Sequence, residues 1–222
     1  MNNGSCHSYI FFSIAREARM LEANVQEAYK AEFLAALTGS DAVAAGYSLV
    51  GLKPGIDFML HVRAKDAAAI EAFTRKLLHT AFGRHLSIVN TLVGLRRQTE
   101  YRSHKPGEEE TPFVDGAMRY LIVYPFTKTT LWHLMPFEER REIMKDHVMT
   151  AKKHSAEITQ LLLYSYGIDD QEFIVSYQAD DLEKFQSLVM DLRHTEGRRY
   201  TQSDTPIYTC LYKPLENLIA EL

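Results

Sequence analysis

The sequence predicts an α+β fold in which one βαββαβ unit occurs twice. Three observations point to it. Segments with a two-residue hydrophobic period and segments with a helical period follow one another in the same order on both sides of residues 101–118. Residues 57–66 match residues 172–181 at a constant offset, each an acidic-start strand running into an aspartate-capped helix. Between the halves lies a polar stretch with Pro106, Gly107, three adjacent glutamates (Glu108, Glu109 and Glu110) and Pro112, a composition that builds no packed element.

The first repeat is expected over 8–100. It opens with a strand at 8–14 around Tyr9-Ile10-Phe11-Phe12, followed by an alanine-rich helix at 22–38. Strands at 44–50 and 56–63 come next, the second alternating Phe58, Leu60 and Val62 with Met59, His61 and Arg63. A helix at 66–82 gathers Ile70, Phe73, Leu77 and Leu78 on one face, and a strand at 86–95 closes the repeat. Residues 101–118 read as a linker. The second repeat, 119–222, returns the same order: strand 120–126, helix 136–154, strands 158–165 and 172–178, helix 181–193 and strand 207–211. Two ferredoxin-like units of this kind carry antiparallel sheets with helices on one face each. Packed together, they are expected to form a dimeric α/β-barrel-like domain with room for a ligand.

Composition narrows the function classes. The 222 residues hold 25 Lys+Arg against 29 Asp+Glu, and a net charge of -4 argues against general affinity for nucleic acid or anionic membranes. No apolar run approaches the ~20 residues that cross a bilayer. The run at Tyr9–Phe12 stops at Ser13 and has neither the basic flank nor the small-residue cleavage site of a secretory signal. Two cysteines, Cys6 and Cys210, exclude a disulfide framework and a cysteine-rich zinc site, so a cytoplasmic protein is expected.

The segment with chemical content runs from Tyr124 to His147. Pro136 suits the first helical position, and Glu138 and Glu139 favour the positive end of the helix dipole. Ile143, Met144, His147 and Ala151 then share one helix face, which turns His147 towards apolar neighbours. Such a residue is either a satisfied core histidine or a neutral imidazole ligand of the kind a haem-type iron takes. His154 lies near the same face but ~10 Å along the axis, so the two histidines do not share a metal ion. Dinucleotide, phosphate-loop and nucleophile-elbow motifs are absent from the sequence.

At this segment the sequence resembles the chlorite dismutase family, and within it the coproheme decarboxylases. The motif is Tyr124-Pro125-Phe126-Thr127-Lys128, then Trp132, then Leu134-Met135-Pro136-Phe137-Glu138-Glu139-Arg140-Arg141 with Met144 and His147. Weaker similarity continues through Gly167-Ile168-Asp169-Asp170 and Ala179-Asp180-Asp181-Leu182 to Leu192-Arg193 and Glu196. The resemblance implies two ferredoxin-like units per chain, assembled as a ring-shaped homopentamer. It also implies an iron-porphyrin ligated by His147, with Trp132 in the pocket and Glu196 accepting a hydrogen bond from the far imidazole nitrogen.

Thirteen residues after the histidine, where chlorite dismutases carry an arginine over the iron, this chain has Gln160. A neutral amide supplies no fixed positive charge. The resemblance therefore implies coproheme decarboxylation: hydrogen peroxide oxidises two propionates of iron-coproporphyrin to the vinyl groups of haem b, with loss of CO2. Tyr124 is the implied reactive tyrosine and Lys128 the residue holding propionate charge; in isolation each also reads as a strand-end aromatic and a loop lysine. Arg97, Arg102, Arg119 and Arg140 are further propionate candidates, and His104 a candidate distal base. Two other readings share the motif: a non-catalytic porphyrin carrier, and a haem peroxidase or chlorite-degrading enzyme.

Overall fold

The computed structural model describes residues 6–99, 101 and 113–222. Arg102, His104 and most of the expected linker lie outside the described residues. In chain order the elements are β1 Cys6–Ile14, α1 Ala23–Thr38, β2 Val43–Ser48, β3 Phe58–Ala64, α2 Ala67–His79, β4 Leu86–Leu95, β5 Tyr120–Lys128, α3 Thr130–Leu134, α4 Phe137–Lys152, β6 Ile158–Tyr164, β7 Phe173–Ala179, α5 Leu182–Arg193, β8 Thr201–Ser203, β9 Tyr208–Lys213 and α6 Leu215–Glu221. They form two compact units, one of residues up to Arg96 together with Tyr208–Leu222, the other of Arg97–Ile207.

The first unit is an antiparallel sheet in the order β4-β1-β3-β2-β9. Alternation puts Ile10, Phe12, Phe58, Leu60 and Val62 on one face, where Phe33 and Leu37 of α1 and Ile70, Phe73 and Leu77 of α2 pack against them. The helix start at α2 is set by Asp66, whose carboxylate accepts from the Ala69 amide at 2.8 Å. The expected polar face of β3 is not polar in its surroundings: Met59 and His61 are as buried as Leu60, and the His61 Nε2 atom lies 3.0 Å from His7 Nδ1.

The second unit repeats the plan in the order β6-β7-β5-β8. Register repeats with it, since Phe12 opposes Phe58 in the first unit and Phe126 opposes Phe173 in the second. So does the acidic residue before the third strand. Asp57 accepts from the Ile14 amide at 2.7 Å, and Glu172 accepts from the Lys128 amide at 2.7 Å. Asp181 caps α5 through the Glu183 amide, as Asp66 caps α2.

The C-terminal boundary differs from the one expected. The last strand was assigned to the second repeat, but β9 pairs with β2 of the first unit, Tyr47 opposite Tyr212, and α6 packs Leu218 and Ile219 into that unit's core. Gly46 makes this possible: a Cβ there would lie 2.6 Å from Leu218 Cδ2 and 3.0 Å from Leu215 Cδ2. The short strand β8 pairs with the end of β5. Strand pairing is a long-range choice, and hydrophobic pattern alone does not say which sheet an amphipathic segment joins.

Candidate active site

The site is built on the helix-covered face of the second unit. Tyr124, Phe126 and Lys128 follow one another at two-residue spacing on β5, so all three project to the same face. The strand ends where Thr129 caps α3, its hydroxyl accepting from the Trp132 amide at 3.4 Å. This short helix lays the buried Trp132 indole beneath the Lys128 ammonium, whose nitrogen is 4.3 Å from the ring centroid and 5.3 Å from that of Phe126. Lys128 Nζ also donates to the Gly197 carbonyl at 3.4 Å. The nearby Glu172 carboxylate is committed elsewhere, to the Lys128 amide and to His133 Nε2 at 2.7 Å. Burial lowers the Lys128 pKa to about 8, with Glu172 opposing and Arg198 adding to the fall. The result is a cation held on aromatic faces and able to exchange its proton near neutral pH.

His147 lies on the inward face of α4 with Ile143, as the helical spacing requires. The helix begins at Phe137, with Pro136 in the capping position, one residue later than expected. Burial first, and then the Lys128 charge, push the imidazole down to about 4, against Asp146. It is therefore neutral at physiological pH. Among the described residues its ring has no hydrogen-bond partner. The turn after α5 approaches it closely, and a Cβ on Gly197 would stand 3.8 Å from His147 Nδ1. Glu196, next to that glycine, does not reach the imidazole; its carboxylate pairs with Arg199 at 3.1 Å and is half exposed. The backbone thus brings the Glu196 segment to His147 and leaves the carboxylate outside.

Tyr124 faces β7, where Val175 is its register partner and Tyr177 lies two residues on. The two phenols are hydrogen-bonded, and Gln160 on β6 donates its amide to Tyr177 Oη at 3.2 Å. Burial raises the Tyr124 pKa well above the usual phenol range, with Tyr177 and Asp204 adding and Arg193 opposing. Asp204 in turn bridges Arg193 and Arg198, at 2.7 and 2.8 Å from one carboxylate oxygen. Two guanidiniums on one carboxylate leave a net positive charge beside Tyr124 and Lys128.

Of the residues expected from the sequence, Tyr124, Lys128, Trp132, His147 and Gln160 share this face. Arg119 sits at the other end of β5 over the Tyr120 ring, and Arg97 is exposed. Arg140 stacks on Phe137, its Nε buried and without a partner. Tyr177, Glu172, Arg193, Arg198 and Asp204 were not singled out. For the arginines a signal existed in Glu196-Gly197-Arg198-Arg199, two cations directly after a helix; for Tyr177 there was none, because its role depends on register across β5, β7 and β6.

No three histidine, cysteine, aspartate or glutamate side chains among the described residues converge as metal ligands. A metal whose other ligands are its own macrocycle needs only one protein donor, and the neutral, unpartnered imidazole of His147 fits that requirement. The positive charge of Lys128, Arg193 and Arg198 fits a porphyrin bearing carboxylates.

Comparisons with known proteins agree. The family model described as chlorite dismutase matches residues 17–213. The coproheme decarboxylase of Mycolicibacterium smegmatis is 33% identical over 182 residues, 79% of this chain and 75% of that one. The chlorite dismutase of Ideonella dechloratans is 26% identical over 79% of this chain and 64% of that one. Among solved structures, a variant of the chlorite dismutase from Candidatus Nitrospira defluvii covers 100% of this chain and 96% of that one, with a TM-score of 0.90 at 23% identity. With a family model covering most of its length and a relative one-third identical, the chain belongs to the chlorite dismutase family.

Proposed function

We propose that this protein is a coproheme decarboxylase, which converts two propionates of iron-coproporphyrin to vinyl groups with hydrogen peroxide and yields haem b. The observation that carries the reading is a half-buried phenol, Tyr124, on the same strand face as the Lys128 ammonium, in the unit that also presents the neutral imidazole of His147. A carrier needs the imidazole and the pocket but neither the phenol nor the cation. Gln160 supplies no charge to hold an anionic oxidant, which favours this reading over chlorite conversion.

When bound, the iron-porphyrin supplies the redox chemistry with peroxide, and it is also the substrate. Each propionate carboxylate that becomes a vinyl group releases CO2, one proton and two electrons, and one peroxide takes up the two electrons, that proton and one more from solvent to give two waters. His147, neutral over the physiological range, would hold the iron through a ring nitrogen. Tyr124 gives up its phenolic hydrogen, as a proton and an electron, to the peroxide oxidant and, as the oxidised side chain, takes a hydrogen back from the propionate chain; loss of CO2 and of one further electron to the same oxidant leaves the vinyl group. Lys128 holds the carboxylate by charge and exchanges a proton near neutral pH. Arg193 and Arg198 add positive charge on the same side. Trp132 keeps water from the Lys128 stem. Assembly as a homopentamer and a cytoplasmic location belong to the same proposal and rest on the sequence resemblance.

Titration of the purified protein with iron-coproporphyrin, followed by peroxide, tests the reading. A shifted Soret band and a product lighter by two CO2 and four hydrogens are expected. Binding without mass loss would favour a carrier, and no binding would reduce the likeness to one of fold.

A further inference from the structure

Tyr177 is buried at 5% exposure in the middle of β7, and its backbone is fixed from both sides, by Ile122 of β5 and Gln160 of β6. Its ring rests on Phe185 of α5 at 5.4 Å between centroids. The phenol oxygen is therefore a stationary group. It accepts the Gln160 amide at 3.2 Å and is hydrogen-bonded to Tyr124, whose ring lies 6.4 Å away and tilted by 31°. Either hydroxyl can donate in that bond, so Tyr177 remains a partner whether Tyr124 carries its hydrogen or has lost it. Tyr124, by contrast, is half-buried, at the middle of β5.

We propose that Tyr177 is the positioning residue of the Tyr124 phenol, and that Gln160 holds Tyr177 in place for that purpose. The proposal rests on the reading of Tyr124 as the reactive tyrosine. The oxidised Tyr124 side chain takes a hydrogen from carbon only when its oxygen is presented towards that carbon. The Tyr177 hydroxyl, free to accept from the phenol and to donate to its oxidised form, ties that oxygen to a stationary partner on β7 in both states. Gln160 then acts through two phenols, which gives a neutral amide a purpose at a position where charge is absent. The first unit supports a role specific to the second. The residue at the place of Tyr177 is Val62 and its register partner is Ala44, neither with a side-chain hydrogen-bonding group.

Fluorine NMR of 3-fluorotyrosine-labelled, porphyrin-free protein provides a readout independent of turnover, the Tyr124 resonance being the one lost in Tyr124→Phe. In Tyr177→Phe, which deletes one oxygen and keeps the ring, that resonance is expected to move. Turnover of iron-coproporphyrin is expected to fall about tenfold, the effect of about 1.4 kcal/mol. Porphyrin affinity is expected to stay within about twofold, which a general loss of structure would not allow. Gln160→Leu, which removes the amide donor to Tyr177 and keeps a side chain of similar size, is expected to move both the Tyr177 and Tyr124 resonances and to lower turnover less. An unmoved Tyr124 resonance in both variants, or full turnover by Tyr177→Phe, would overturn the proposal. If the wild-type protein binds iron-coproporphyrin and never decarboxylates it, the functional reading falls, and the resonance shifts alone decide whether Tyr177 positions Tyr124.

Discussion

The two units of this chain share one plan and differ on the face where helices meet sheet. His147 is the eleventh residue of α4, and the eleventh residue of α1 is Phe33, fully buried and edge-on to Phe82 at 5.4 Å. Where the second unit has Tyr124 opposite Val175, the first has Ile10 opposite Leu60. Lys128 and Ile14 hold the same place against Glu172 and Asp57. Arg193 and Leu78 are each the twelfth residue of their helix, and Phe82 and Gly197 each follow by two the threonine that bonds back to its helix. The first unit fills the space with hydrocarbon, each such side chain contributing roughly 2–3 kcal/mol on burial. The second replaces that hydrocarbon with an imidazole, two phenols, an ammonium, a guanidinium and a glycine. The difference shows what a site requires of a duplicated scaffold: one copy closed for stability, the other given polar groups that a ligand must complete.

Exchanging residues between the units tests this contrast, and the largest effect is expected at the histidine. His147→Phe, which installs the first unit's residue, should weaken iron-porphyrin binding at least about 100-fold and abolish the Soret shift, measured by absorbance titration. Tyr124→Phe should leave affinity within about twofold and lower decarboxylation at least about 100-fold, measured by product mass. Lys128→Ile, again the first unit's residue, should lower kcat/KM about tenfold by removing one charged contact to carboxylate. It should also raise the His147 midpoint, because the Lys128 charge is one cause of its depression.

A smaller effect separates the units by pH. The His147 midpoint is about 4 in the folded chain, below the ordinary 6.5. Between those values the unfolded chain binds more protons, so the porphyrin-free protein should lose stability as pH falls from about 6.5 towards about 4. His147→Phe should flatten that slope, and thermal unfolding across the range would show it. In the first unit the corresponding test is steric: Gly46→Val should destabilise by about 1–3 kcal/mol in urea titration, because α6 has no room to retreat without leaving the core.

The contrast also marks what was legible in the sequence. Each main strand and helix followed from its periodicity, and the shared acidic-start strands revealed the duplication. The short elements α3, β8 and α6 did not, since five-, three- and seven-residue segments are set by what they pack on. The assignment of β9 and α6 to the first unit hung on the absence of a side chain at Gly46, which no local pattern signals. In the site, Tyr124, Lys128, Trp132 and His147 sit in one continuous motif and were read together. Tyr177, Arg193 and Asp204 were not, because each acquires its role from a partner on another element. Glu196 was expected at His147 from the motif, yet a neighbouring arginine holds its carboxylate.

The central claim, that the second unit carries out oxidative decarboxylation through Tyr124, meets its most direct test in one paired measurement. Wild-type protein and Tyr124→Phe, each loaded with iron-coproporphyrin, would receive two equivalents of peroxide and be analysed by product mass. Loss of two CO2 from the wild type and none from the variant is the expected result. An unchanged porphyrin in the wild type, or equal conversion in both, would contradict it.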